Sequence, residues 1–210
     1  MYYYNGTYTP ESAVERVFSP RWYLIRPWQV QGELLEAAKI VRDVQPRVIL
    51  EIGSLKGGTL FVWAQMTHPR ATIISVDLPD VRWGGGYDPE HARTLQRLKQ
   101  PQQTLHLIRA DSHAQCTFTE VQRLLGGRPI DFLFIDGDHA YEGVKKDFEM
   151  YASLVKPPGI IALHDIASGP PEVVGEVPRF WKRIRPQFDV REIVAKPDQA
   201  GFGIGLICIR

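Results

Sequence analysis

Residues Arg47 to Met66 read RVILEIGSLKGGTLFVWAQM. The first seven letters, RVILEIG, are rich in β-branched and apolar residues, as a buried strand requires. The last ten, GGTLFVWAQM, read as a helix. A strand that turns on glycines directly into a helix is the opening of a β-α-β unit. The fold therefore depends on whether the rest of the chain repeats this alternation.

It does. Downstream, ATIISVD is a second strand, LPDVRWGGGYDPE a loop, and Pro89 to Lys99 a helix. TLHLIRAD is a third strand, Thr117 to Leu125 a helix, and IDFLFID a fourth strand. The next helix places Val144, Phe148, Tyr151 and Val155 on one face, and GIIALHD is the fifth strand. Upstream, Pro27 suits the first turn of a helix. Val30, Leu34, Ala37, Ala38 and Val41 then recur at helical spacing until Pro46 stops the run. Such alternation implies right-handed crossovers and a parallel sheet covered on both faces.

The end of the chain differs. After a helix near Val177 to Ile184, FDVREIV and GFGIGLICI are strands with only a loop between them. That spacing favours an antiparallel hairpin at the sheet edge. The expected fold is α/β, a doubly wound seven-stranded sheet, mostly parallel, with an antiparallel C-terminal edge hairpin. Residues 1–26 are aromatic and irregular, punctuated by Pro10 and Pro20, and are expected to form an N-terminal arm or lid. Residues 27–210 form the domain.

Composition narrows the function. The chain has 210 residues, 44% hydrophobic and 23% charged, which suits one globular domain. A formal net charge of +1 and the lack of a dense Lys/Arg run give no attraction for nucleic acid. No apolar run approaches the roughly 20 residues that cross a bilayer, and the start, MYYYNGTYTP, lacks a signal-peptide pattern. Cys116 and Cys208 are isolated thiols, which suit a reducing compartment. A cytoplasmic protein without membrane or nucleic-acid partners is expected, and the aromatic start suits self-association.

Open α/β sheets bind ligands beyond the carboxyl ends of their strands, so the residues after each strand carry the functional reading. At the first exit, Leu55 breaks the G-x-G-x-x-G dinucleotide fingerprint, and Thr59 stands where a phosphate loop needs Lys. At the second, Asp77 follows the glycines by roughly 20 residues, where an acidic side chain accepts from ribose hydroxyls. It could equally terminate the strand. At the third, Asp111 and Ser112 could contact a ligand or begin a turn. At the fourth and fifth, Asp136 faces His164 and Asp165 across neighbouring strands. Such a set could hold an octahedral cation with water and substrate oxygens. His139 could face the same crevice as a general base. Asp138 suits a cap for the helix beginning near Ala140. Asp136 could instead contact a cofactor without metal, and His164 could be a buried structural residue.

What remains at the first exit, E-x-G-x-x-x-G, resembles the first motif of the class I S-adenosylmethionine-dependent methyltransferases. IDFLFIDGDHAYEGVKKDFEMYASLVKPPGIIALHDI narrows the likeness. It resembles the small-molecule O-methyltransferases that include macrocin O-methyltransferase, its mycinamicin relatives and proteins labelled cephalosporin hydroxylase. The resemblance runs from about Pro27 to Arg210 and implies a Rossmann-like methyltransferase fold. It implies S-adenosyl-L-methionine held at Glu51, Gly53, Ser54, Gly57, Gly58, Asp77, Asp111, Ser112 and Asp136, with Glu51 toward the ammonium group and Asp111 toward adenine. It further implies Mg2+ at Asp136, His164 and Asp165, His139 as base, and a small-molecule hydroxyl as methyl acceptor. Metal-dependent members usually show Glu-Asp or Asp-Asn where this chain has His164-Asp165. The competing readings are a nicotinamide-dependent oxidoreductase or epimerase, and a cofactor-binding relative without catalysis. DVRWGGGYDPE, with Trp83 and Tyr87 around three glycines, suits a mobile lid or a solvent loop. DIASGPPEVVGEVPRFW is a candidate substrate wall.

Overall fold

Five apolar runs become five parallel strands in the structure, a computed structural model that describes residues 8–79 and 86–210. They are β1 (Val48–Ile52), β2 (Thr72–Asp77), β3 (Thr104–Arg109), β4 (Ile130–Ile135) and β5 (Val155–His164). With β6 (Asp189–Ile193) and β7 (Ile204–Ile209) they form a seven-stranded sheet among the described residues, in the order β3-β2-β1-β4-β5-β7-β6. β7 is antiparallel to both β5 and β6, as the short C-terminal connection demands. Every residue of β1 and β2 is buried, which explains why apolar residues fall on both faces of each strand. The edge strand β6 instead carries Asp189, Arg191 and Glu192, charges that discourage pairing with another chain.

Helices cover both faces. On one side α2 (Gln31–Val44) and α3 (Gly58–Met66) bury Leu34 and Trp63 in the core, and α1 (Pro10–Phe18) packs against both helices with Val14 buried. Trp63 meets Phe132 and Phe134 with ring centroids 5.2 Å apart. On the other, α5 (Gln115–Leu125), α6 (Tyr141–Tyr151) and α8 (Val177–Ile184) bury Val121, Val144 and Trp181. The short helices α4 (Pro89–Leu95) and α7 (Pro171–Val174) lie in connections. No helix among the described residues is long and apolar enough to cross a membrane.

Several boundaries differ from the sequence reading. Residues 10–25 are helical rather than irregular. Thr9 and Ser12 form a reciprocal capping box that starts α1, and a 3-10 segment spans Pro20–Ile25. Ala13, Val14 and Val17 then belong to the core. Pro27 lies before α2, not in its first turn. Val155 opens β5 rather than continuing α6, which stops at Tyr151 in a 3-10 turn. Helix α4 ends at Leu95, short of Lys99, and α5 begins at Gln115, before Thr117. Trp83 of the expected lid lies outside the described residues. Tyr87 lies inside them and is a core side chain, 2% exposed, so it is not a lid tip.

Candidate active site

The strand order reverses direction around β1, whose neighbours are β2 and β4. Their carboxyl ends diverge there, and a crevice of about 1150 Å³ opens. Its walls include Gly53, Ser54, Asp77, Asp111, Asp136 and His139. Ser112, His164 and Asp165 also line it, whereas Glu51 and Gly57 do not.

The glycine turn is shaped by protein packing. Gly53 has φ +82°, and a Cβ there would collide with the Asp136 carbonyl oxygen. A Cβ at Gly58 would meet the Ile25 carbonyl oxygen and Pro27. These glycines let the β1 exit touch both the β4 exit and the N-terminal segment. Asp77 braces the same turn. Its Oδ2 accepts from the backbone N–H of Ser54 at 2.9 Å and of Leu55 at 2.6 Å, and its Oδ1 accepts from Leu78 at 2.8 Å. That grip holds Leu55 at φ 45°, a left-handed backbone uncommon outside glycine. Behind the turn, Ser54 Oγ donates to Glu51 Oε2, while Glu51 Oε1 is buried without a partner. Burial pushes the Glu51 carboxyl up to about 8, against the pull of its Ser54 bond.

At the neighbouring exits, four side chains converge. Asp136 Oδ1 lies 3.1 Å from His164 Nδ1 and 3.4 Å from His139 Nε2. Asp165 Oδ2 lies 3.3 Å from His164 Nδ1 and 3.5 Å from His139 Nδ1. Asp165 has φ 61°, so its backbone is left-handed where β5 ends. Burial opposes charge on both imidazoles, but the two carboxylates outweigh it and push His139 up to about 9 and His164 up to about 10. Burial alone would lift Asp136, yet the His164 and His139 imidazoles hold it well below the usual carboxylate range. The contacts thus favour the charged form of both imidazoles beside the two carboxylates.

The atoms that could share one ion differ from the expected set. Ligand atoms of Asp136, His139 and Asp165 all lie within 4.8 Å of one another. His164 Nδ1 is already directed at both carboxylates, and its Nε2 is buried without a partner. His139 thus joins the two carboxylates in that group, and His164 packs against both carboxylates from behind.

Asp138 acts beside the expected cap position. Its Oδ1 accepts from Ala140 N–H at 2.8 Å, but Ala140 is the residue preceding the helix. The Tyr141 N–H is met by Glu176 instead, at 3.3 Å. Helix α7 and the segment after it also fix His139: Glu176 N–H donates to the His139 carbonyl at 2.8 Å, and His139 Nδ1 lies 3.2 Å from the Val173 carbonyl. Glu172 and Val173 line the crevice, where the substrate wall was expected. Two participants escaped the sequence reading. Gln29 Nε2 donates to Asp136 Oδ2 at 2.6 Å, from 107 residues away. His113 lines the crevice next to Asp111 and Ser112. Only the DSH string at the third exit hinted at the latter.

Comparison with known proteins fits this arrangement. A family model described as a methyltransferase domain matches residues 50–166, just over half the chain. Among curated relatives, an uncharacterised protein, R132, of Acanthamoeba polyphaga mimivirus is 28% identical over 140 residues, covering 67% of this chain and 61% of its own. The uncharacterised y4gI of Sinorhizobium fredii is 28% identical over 131 residues, 60% of this chain. The chain spans only 14% of that protein's length. Among solved structures, the O-methyltransferase TomG of Streptomyces achromogenes, involved in tomaymycin synthesis and bound to SAM, superposes with a TM-score of 0.63 at 18% identity, over 94% of this chain and 90% of its own. An O-methyltransferase from Bacillus cereus in complex with SAH gives 0.61 at 18% identity, over 94% and 90%. MycE, a methyltransferase of mycinamycin biosynthesis in complex with Mg, SAH and mycinamycin VI, gives 0.51 at 20% identity, over 75% of this chain and 39% of its own. At these identities the likeness is one of fold.

Proposed function

Because the chain belongs to the methyltransferase-domain family, we propose that it transfers a methyl group from S-adenosyl-L-methionine to a hydroxyl of a small molecule, a sugar or phenol, with a divalent cation assisting. The observation that carries this reading is the meeting of two groups in one crevice: the glycine turn braced by Asp77, and the Asp136, His139 and Asp165 cluster. MycE, which shares the fold, was solved with Mg and SAH.

The residues fit the donor. The orphaned Glu51 oxygen is a buried acceptor, and an ammonium group at the β1 exit, or a water it orders, would satisfy it. The Asp77 carboxylate retains one acceptor position beyond its three backbone bonds, enough for a ribose hydroxyl. Gly53, Ser54, Gly58, Asp111 and Ser112 complete the cradle, with Gly57 shaping the turn from outside the crevice. The cluster fits a cation as well, through two carboxylates and one imidazole. That donor set suits Mn2+ as well as Mg2+, because imidazole is a poorer partner for Mg2+. When bound, the cation would lower the pKa of the acceptor hydroxyl. It would also take over the carboxylates' charge. An imidazole that ligates the cation has no lone pair left for a proton, so His139 would serve as base only where Asp136 and Asp165 hold the cation without it. Ser54, Asp77 and Asp136 place the donor, so that oxygen, carbon and sulfur align for direct displacement. The reaction is expected in the cytoplasm, in keeping with the free thiols Cys116 and Cys208.

Isothermal calorimetry tests the reading. S-adenosyl-L-methionine and its demethylated product should both bind, and NAD should not. Mn2+ should bind to the wild-type chain and be lost in Asp136→Asn. A chain that bound neither nucleoside would sink the donor assignment. One that bound them but ignored Mn2+ would remove the metal alone.

A further inference from the structure

Gly143, Asp147 and Tyr151 follow one another at four-residue intervals along α6, which places them on one face. That face grips the loop after β3 at three points. The Gly143 carbonyl lies 3.1 Å from His113 Nε2, and Asp147 Oδ1 lies 3.3 Å from the same nitrogen. Tyr151 Oη donates to the Ser112 carbonyl at 2.8 Å. Asp147 is wholly buried, and neither of its oxygens has a full hydrogen bond. His113 is its ion-pair partner among the described residues. A carboxylate so placed is costly unless its countercharge is held beside it.

His113 in turn contacts Asp111. Its backbone N–H donates to Asp111 Oδ1 at 2.8 Å, and its Nδ1 lies 3.8 Å from that oxygen. The Asp111 side chain is 59% exposed and lines the crevice. The Asp147 contact raises the His113 pKa against its partial burial, with Asp111 and Asp138 adding to the rise. The contacts thereby favour the cationic imidazole, which lies between a buried and an exposed carboxylate.

We propose that His113, anchored from beneath by Asp147, is a positioning residue that fixes Asp111 so that the β3 exit selects a purine with an exocyclic amine over one with a carbonyl. A carboxylate held in place accepts from an amine and repels a carbonyl oxygen. One free to swing away discriminates less. The inference rests on the methyl-donor reading, and it assigns α6 a second task. The helix that begins beside His139 at the reacting end also sets the far end of the donor site.

The test compares S-adenosyl-L-homocysteine with S-inosyl-L-homocysteine by calorimetry, on the full chain. The wild type should prefer the adenosyl compound. His113→Ala should narrow that preference by about threefold, because the side-chain contact to Asp111 is a 3.8 Å ion pair and the backbone N–H bond survives the change. His113→Gln, which keeps a donor toward α6, should restore part of it. Asp147→Asn, nearly isosteric, should narrow the preference as His113→Ala does, and carries the comparison if the alanine variant fails to fold. Equal loss of affinity for both compounds, with the ratio unchanged, would overturn the inference and leave the α6 contact purely structural. A wild-type chain that bound neither compound would overturn the donor reading and this inference with it.

Discussion

Asp136 is the residue on which the reacting end turns. Its Oδ2 is held by Gln29 and its Oδ1 by two imidazoles, so neither oxygen is free to rotate away. The electrostatics give a pH signature. His139 and His164 titrate near 6.5 when unfolded, and near 9 and 10 in the fold. A folded pKa above the unfolded one contributes stability that is complete below about pH 6.5 and lost as pH rises through the folded value. Asp136 works in the opposite sense. Its depressed pKa contributes stability above its ordinary value of 3.8, lost only in strong acid. Without divalent cation, the melting temperature should therefore fall steadily from about pH 6.5 to pH 10. Asp136→Asn should flatten that decline by removing the shared partner of both imidazoles. Parallel curves for wild type and variant would mean that the cluster is not ion-paired.

At the scale of elements, the glycine turn does more than its motif states. The resemblance implied a cofactor at Gly53, and packing against the β4 exit requires glycine there as well. Gly53→Ala should cost at least about 2 kcal/mol, because it combines a positive φ with a backbone clash. Gly126 is a useful contrast. It ends α5 at φ +58° with nothing within 4 Å of where a Cβ would stand, so Gly126→Ala should cost about 1 kcal/mol. Urea unfolding of the two variants measures the difference, and equal losses would show that backbone conformation alone governs Gly53. The strands were legible because buried parallel strands need runs dominated by apolar and β-branched residues, and such runs are conspicuous. The first helix was not. PESAVERVF sits between aromatic and proline-rich stretches, and its best signal, Thr9 with Ser12, is a serine variant of the capping box. Asp77, Asp136 and Asp165 were legible as strand-end acids. Gln29 and His113 were not, because each gains its role from a side chain or helix distant in sequence.

At the scale of the whole molecule, the crevice is a junction of separately supported pieces. The β1 turn rests on Asp77, the β3 exit on α6, the β4 and β5 exits on each other, and the segment from Arg26 to Gln29 on Asp136 and Gly58. Glu33 ties the far side together. It is fully buried in α2, and its carboxylate accepts from Ala195 and Gly203 N–H, which pins the connection between β6 and β7. A ligand spanning the junction should couple the pieces, because ordering one lowers the cost of ordering the next. Hydrogen exchange can read this directly. S-adenosyl-L-homocysteine alone should slow exchange at Ser54–Thr59 and at Asp111–His113. Adding Mn2+ should extend protection to Gly137–His139 and Asp165, with Arg26–Gln29 following through the Gln29 contact. The edge strand β6 touches none of these pieces and should exchange at its unliganded rate throughout. Protection spread evenly over the sheet would mean that ligand binding stabilises the fold globally, and that the exits do not act as separable parts of one site.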